Sequence, residues 1–214
     1  MSAQSLQRKL DVAHKKVSNK LGYTYTLYRP INNINALDDN NIIDDVKLTF
    51  TLSDSYTSAL SWQVPVYTGY TDAAQVQEGD FLFSEEQGRT FLILSRQPHQ
   101  PVLVMEMPDR IDMRTVSYVN DGTGFAPGSD AYVARNVPAL VTWTSGTIGG
   151  MVPARNMANA GTRTASIITS FPKSTMLIGN TITTTDSFVG DVVHYDYAMV
   201  GNAVKMVASE YQVP

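Results

Sequence analysis

The spacing of apolar residues along this chain changes once, near the N-terminus, and that change limits the folds that the chain can adopt. Leu6, Leu10, Ala13, Val17 and Leu21 recur every three or four residues, as on one face of an α-helix. We call these five residues the apolar stripe. From residue 46 onward the period is two, because apolar and polar side chains alternate as in half-buried strands. The pattern predicts one helix, beginning near Ser5 and ending at Gly22, before a β-rich body.

The predicted helix is basic, whereas the rest of the chain is acidic. Residues 1–20 contain one acid, Asp11, and five basic residues: Arg8, Lys9, Lys15, Lys16 and Lys20. Three interpretations stay open: a helix packed on its own β-domain, an arm docked on a neighbouring subunit, or a helix that binds an anionic polymer or membrane. For the last case the predicted phosphate contacts are Arg8, Lys9, Lys15 and Lys16.

Composition narrows the function classes. Charged residues make up 17% of the 214 residues, against about 25% in typical soluble proteins, so much of the surface is expected to be covered by neighbours. The net charge of -4 disfavours a nucleic-acid-binding protein. The absence of cysteine excludes disulfides, zinc–thiolate sites and thiol nucleophiles. No apolar run approaches about 18 residues, so no transmembrane helix is predicted, and a membrane is not among the expected partners.

Strand and turn patterns predict a mainly β fold: an N-terminal helical arm followed by two small β-barrel or sandwich-like domains. The predicted division is a helical arm with an extended tyrosine-rich segment at 1–35, a first β-domain at 36–128 and a second at 129–214. The junction is placed at the glycine-rich segment 121–128. A second glycine-rich segment, 145–161, is predicted to be a long exposed loop. Gly79-Asp80 and Gly179-Asn180 each precede a predicted strand, which suggests a duplicated β-domain.

Few residues indicate chemistry. The three histidines, His14, His99 and His194, are isolated in sequence, and no nucleophile elbow, zinc helix or phosphate loop occurs. The four acids in segment 31–45 lack the spacing of a calcium loop and are predicted to be solvated turns. The sequence therefore predicts a protein that is not an enzyme, with no cofactor and no metal.

A resemblance goes further than these patterns. Segment 20–30, Lys-Leu-Gly-Tyr-Thr-Tyr-Thr-Leu-Tyr-Arg-Pro, stands before Gly-Asp-Phe-Leu-Phe at 79–83, Thr-Phe-Leu-Ile-Leu at 90–94 and Gln-Pro-His-Gln-Pro-Val-Leu at 97–103. Together these motifs resemble a family of small proteins encoded among the head and tail genes of tailed bacteriophages. The resemblance covers about residues 8–107, and the C-terminal half shares only a strand-rich pattern.

The resemblance implies a virion structural protein of the neck or tail, of the head-tail joining type, and it supplies no catalytic residues. The expected partners are copies of the chain in a ring, other neck, tail or portal-layer proteins, and DNA that passes without sequence specificity. The expected location is the virion, after assembly in the host cytoplasm. The predicted interface is the apolar stripe with Tyr23, Tyr25, Tyr28 and Arg29, because tyrosine and arginine are enriched at interfaces.

Three alternatives stay open. Within the same class, the chain is a tail-hub or fibre-attachment protein. From another class, it is a carbohydrate-binding β-domain with Trp62, Trp143 and tyrosines as sugar platforms, or a hydrolase with scattered carboxylates.

Overall fold

The structure is a computed structural model that describes ten segments of the chain. These segments are 3–30, 35–52, 66–72, 74–98, 100–120, 125–144, 164–170, 180–185, 187–196 and 203–210. They form one α-helix, one short 3₁₀ helix and twelve β-strands. The prediction of a mainly β fold with a helical arm and two barrel-like domains is confirmed.

The helix α1 spans Ala3–Leu21 and ends where the sequence predicts. The amide of Gly22 donates to the carbonyl of Ser18 at 2.7 Å, which closes the last turn. A Cβ at Gly22 would lie 2.5 Å from that carbonyl oxygen and 2.9 Å from the backbone of Leu48. Glycine at this position therefore lets the chain turn directly from the helix onto a neighbouring strand.

The first barrel, barrel 1, has six antiparallel strands in the order β1-β2-β3-β6-β5-β4, closed between β4 and β1. The strands are β1 (Tyr23–Tyr28), β2 (Ile42–Leu52), β3 (Val66–Tyr70), β4 (Phe81–Ser84), β5 (Arg89–Ser95) and β6 (Val102–Glu106). Strands β4 and β5 form a hairpin whose turn at 85–88 has Gly88 at a φ of +62°.

The second barrel, barrel 2, repeats this topology. Its strands are β7 (Asp109–Asn120), β8 (Phe125–Thr144), β9 (Thr164–Ser170), β10 (Thr181–Thr184), β11 (Val189–Asp196) and β12 (Ala203–Glu210). Their order is β7-β8-β9-β12-β11-β10, closed between β10 and β7. If the strands are counted from the first of each barrel, the two orders are identical.

The likeness of the barrels extends to individual bonds. Asp80 and Asn180 each stand just before the fourth strand, and the carbonyl of each accepts an amide 2.9 Å away, from Ile93 and Val192 respectively. The side chain of Asp80 binds Arg29, the residue after β1. The side chain of Asn180 accepts from Thr115, the corresponding position of β7, at 3.2 Å. The hypothesis of a duplicated β-domain is thereby supported, with a charged pair in barrel 1 and a neutral pair in barrel 2.

The predicted domain division differs from the strand pairing. Strand β1, assigned by the sequence to an extended arm, is part of barrel 1, and β7 belongs to barrel 2. The change of barrel lies between residues 106 and 109, not at 128. Residues 120 and 125 are partners in the β7–β8 ladder, so the predicted junction lies between two paired strands of one barrel. Residues 121–124 of that junction and the predicted loop 145–161 lie outside the described residues.

The two barrels share a hydrophobic core. The interior of barrel 1 holds one cluster, around Tyr25, Leu48 and Phe91. A second cluster begins on the outer side of barrel 1, where Phe81, Leu92 and Met105 are register partners in one row. It continues through the buried residues of barrel 2. Because this row is fully buried, the barrels form one packed body.

Candidate functional site: the outward surface of the N-terminal helix

Polar side chains hold α1 on barrel 1. Lys15 donates from Nζ to a carboxylate oxygen of Asp72 at 2.7 Å, and the ring of His14 packs edge-on against Tyr70 with centroids 5.2 Å apart. Ser18 is 1% exposed and donates to the carbonyl of Lys15 at 3.0 Å. Burial lowers the pKa of His14, although the charge of Asp11 acts in the opposite direction. The face of the helix that meets the barrel is thus mainly polar.

Because the barrel takes a polar face, most of the apolar stripe stays exposed. The exposed fraction is 71% for Leu21, 44% for Leu6 and 38% for Val17, and Ala13 is also exposed, whereas Leu10 is half-buried. Tyr23, the first residue of β1, adds a side chain that is 54% exposed. At 100° per residue, the centre of the stripe lies about 90° around the helix from the contact face. The helix is therefore packed on its own β-domain, as the first interpretation predicts, and it still leaves most of the apolar stripe exposed to a neighbouring subunit, as the second requires.

A row of lysines runs beside the stripe. Lys9, Lys16 and Lys20 follow one another at intervals of seven and four residues, so they lie along one line of the helix. All three are exposed, and among the described residues none of them forms an ion pair. We call them the lysine row. Arg8 is also exposed, on another side of the helix, and Lys15 is held by Asp72.

The other predicted interface residues are used within the chain. Tyr25 is 1% exposed, its hydroxyl donates to Gln87 at 2.8 Å, and burial raises its pKa to about 12. Tyr28 is also buried, and burial raises its pKa, reinforced by nearby carboxylates. Arg29 donates from Nε and Nη2 to the two carboxylate oxygens of Asp80, both at 2.8 Å, and this bond raises its pKa. Of the predicted interface residues, only the apolar stripe, apart from the half-buried Leu10, and Tyr23 are therefore exposed.

The acids around the start of β2 accept hydrogen bonds from within the chain. Asp38 caps the 3₁₀ helix Asp39–Asn41 by accepting the amide of Asn40. Asp44 accepts from Gln75 at 3.1 Å, and Asp45 accepts from Thr26 at 3.0 Å. Within the described part of the chain, no three metal-ligating side chains come together. Asp38 and Asp39 thus lie at a turn as predicted, whereas Asp44 and Asp45 lie on β2, paired with β1, so the turn prediction is wrong for them.

Two exposed isoleucines in this segment were not predicted as site residues. Ile42 is 43% exposed and Ile43 is 47% exposed, both at the start of β2. The signal was present in the sequence, because an Ile-Ile pair stands between Asp38-Asp39 and Asp44-Asp45. They were missed because the alternation of apolar and polar residues begins at Val46, so the predicted strand did not include Ile42 and Ile43.

A cavity of about 490 Å³ lies where Asn35 meets the strands β7, β8 and β10 of barrel 2. Its lining includes Arg135, Asp112 and the buried Thr184, whose hydroxyl has no hydrogen-bond partner among the described residues. Asp112 provides the one carboxylate in this described lining, and it accepts a hydrogen bond from the backbone amide of Asn136 at 2.7 Å. The two facing carboxylates of a glycoside hydrolase are therefore not found in the described lining of this cavity.

The remaining candidates are scattered. Trp143 is 43% exposed and packs edge-on against the buried Phe188, with centroids 5.1 Å apart. His194 is exposed on β11. Trp62 and His99 lie outside the described residues.

Comparison of the chain with protein-family models, with curated proteins and with solved structures finds no match. In the part of the chain that the structure describes, no helix combines the length and the apolar character needed to cross a membrane.

Proposed function

We propose that the chain is a virion structural protein: a repeated subunit of a ring in the neck or tail of a tailed bacteriophage, which joins the DNA-filled head to the tail. Its work is assembly. Copies of the chain bind one another, and other neck, tail or portal-layer proteins bind the ring. The protein acts in the virion and is made in the host cytoplasm.

The observation that carries this proposal is the orientation of α1. A helix that packs on its own barrel normally buries its apolar side, because burial of apolar surface is the main favourable term in packing. Here the barrel takes Asp11, His14 and Ser18, and Leu21 remains 71% exposed. An exposed apolar stripe on an anchored helix is the arrangement expected of a surface that a neighbouring subunit covers.

Passing DNA would meet this surface only through unspecific contacts. Arg8, Lys9 and Lys16 are exposed and can reach phosphates, whereas Lys15 already binds Asp72. Phosphate contacts of this kind carry no sequence information and weaken as salt rises.

The proposal is tested by complementation in phage-infected cells in which this gene is replaced by a variant. The test variant carries Leu6→Ser, Val17→Ser and Leu21→Ser. Since these side chains are exposed, the variant is expected to fold, to be missing from purified particles and to leave heads without tails. The matched control is Val12→Ser, because Val12 is 47% exposed but lies on another side of the helix.

Two results would contradict the proposal. One is normal incorporation of the triple variant into particles, which would mean that no neighbour covers the stripe. The other is unfolding of the purified triple variant, measured by circular dichroism, which would assign the stripe to the core of its own chain.

A further inference from the structure

We propose that the basic, apolar surface of α1 docks on the acidic, apolar start of β2 of the next copy, in a head-to-tail contact. The inference rests on the proposed self-assembly and names the two surfaces that meet. The occupant of the helix surface is thus a second copy of this chain.

The receiving surface combines two exposed isoleucines with carboxylates. Ile42 and Ile43 are flanked along the chain by the exposed Asp39, Asp44 and Asp45. Glu85, on the β4–β5 turn, is also exposed. It lies two residues beyond Phe83, which shares a row with Thr26 and Asp45, so only strand β1 separates Glu85 from β2 near Asp45. We call these six residues the β2 patch: Asp39, Ile42, Ile43, Asp44, Asp45 and Glu85.

The two surfaces complement each other in charge and in apolar character. The helix presents an apolar stripe with the lysine row beside it, and the β2 patch presents an apolar pair with carboxylates beside it. Among the described residues the ion pairs are Lys15–Asp72, Arg29–Asp80 and Arg89–Glu106, so no lysine of the row pairs with an acid of the patch within one chain. Opposite charges beside matching apolar areas favour association and fix its orientation.

The geometry favours a head-to-tail contact over a symmetric one. In a two-fold contact the same surface meets itself, so the lysine rows of two helices would face each other across the interface. Like charges at an interface oppose binding. A contact between two different surfaces avoids this repulsion and, when repeated, gives a closed ring or an open filament.

The absence of cysteine allows a direct test by disulfide cross-linking of the full-length chain. One population carries Val17→Cys in the stripe, and a second carries Ile43→Cys in the β2 patch. Oxidation of their mixture is expected to give a cross-linked dimer at a yield several-fold above that of either population alone. The control mixture pairs Arg8→Cys, on the side of the helix opposite the stripe, with Ile43→Cys and should stay at the level of the single populations.

Three results overturn the inference: equal cross-linking of Val17→Cys with itself, equal cross-linking in the Arg8→Cys control, or no cross-link in any mixture. The first would indicate a symmetric helix contact, and the second an unspecific association. The third would mean that the two surfaces do not meet.

Charge reversal gives an independent readout of the same contact. Lys16→Glu with Lys20→Glu, added to the Val17→Cys chain, should lower the cross-link yield about tenfold or more. Asp39→Lys with Glu85→Lys, added to the Ile43→Cys chain, should restore it. These two acids are suitable because their carboxylates accept no hydrogen bond from the described residues. Failure of this restoration would overturn the charge complementarity.

The test separates this inference from the proposed function. Cross-linking is measured on the purified chain and does not depend on any phage. If the chain cross-links as expected but is absent from phage particles, only the proposed function is removed. A chain that is present in particles but gives no cross-link between positions 17 and 43 would remove the head-to-tail contact alone.

Discussion

The pair formed by Arg29 and Asp80 should be the most sensitive polar contact of barrel 1. Replacing Asp80 by Asn removes the charge but keeps the size of the side chain, and it copies Asn180 at the corresponding position of barrel 2. The change leaves the guanidinium of Arg29 without its counter-ion. It also replaces a carboxylate oxygen that accepts the amide of Gln77 at 2.7 Å.

The magnitude follows from burial. The side chain of Asp80 is 2% exposed and that of Arg29 is 22% exposed. Removing one partner of a buried ion pair typically costs about 3–5 kcal/mol. Because Arg29 keeps some contact with water, Asp80→Asn should cost about 3 kcal/mol, the lower end of that range. For a chain of this length, that loss lowers the melting temperature by about 6–12 °C.

The assay is a double-mutant cycle with Arg29→Thr, Asp80→Asn and the double variant, which recreates the Thr–Asn pair of barrel 2. Urea unfolding is followed by circular dichroism and by fluorescence, so that coincident transitions identify a single unfolding step. The double variant should be more stable than the sum of the single effects predicts, by at least about 1.5 kcal/mol. A parallel cycle with Lys15→Thr and Asp72→Asn is the control, because exposed ion pairs contribute little.

The reasoning would be refuted if the two single effects were additive. It would also fail if Asp80→Asn lowered the melting temperature no more than Lys15→Thr. Either result would mean that the buried carboxylate and the guanidinium are each as well solvated alone as they are together.

Three further predictions concern single positions. Since burial lowers the pKa of His14 below 6.5, the unfolded chain binds the proton more readily, and stability should fall as pH drops through about 6.5. His14→Gln should reduce the difference in melting temperature between about pH 7.5 and about pH 5.5, and an unchanged difference would disprove this. Gly190→Ala should destabilise the protein strongly, since its Cβ would lie 2.6 Å from the ring of Phe188. Gly88→Ala should lower the free energy of unfolding by only about 1 kcal/mol, because of its positive φ. Equal melting temperatures of the two variants would contradict this prediction. Phe91→Ala, which removes a fully buried ring, should cost about 3–5 kcal/mol in urea unfolding, and a cost below about 1 kcal/mol would argue against the core assignment.

Local patterns predicted the elements of this fold well. The helix stop at Gly22 and the change to period-two strands after it depend on neighbouring residues, so local patterns are enough to predict them. The pairing of β1 with β4 depends on residues more than fifty positions apart, and no period or turn signal reports it. The domain boundary was misplaced for the same reason, since a glycine-rich segment marks a break between strands but not which barrel each strand joins.

The candidate site was predictable only in part. Helical spacing identified Leu6, Val17 and Leu21 as one stripe, but spacing does not state which side of a helix its own barrel will take. In the structure, the side that the barrel takes is the one with His14, which packs on Tyr70, and Lys15, which pairs with Asp72. Arg29 was assigned to an interface because of its residue type, whereas its bonds to Asp80 use it inside barrel 1.

Two barrels of identical strand order in one chain have a consequence for any circular array. A closed circle of n chains would contain 2n modules of the same topology, and its approximate symmetry would be twice its true symmetry if half the rotation between successive chains relates the two barrels of one chain. A neighbouring ring could have either n-fold or 2n-fold symmetry, and a partner present in 2n copies could bind one copy at every module. Differences between the modules, such as the charged pair at Asp80 and the neutral pair at Asn180, would then determine which positions remain distinguishable.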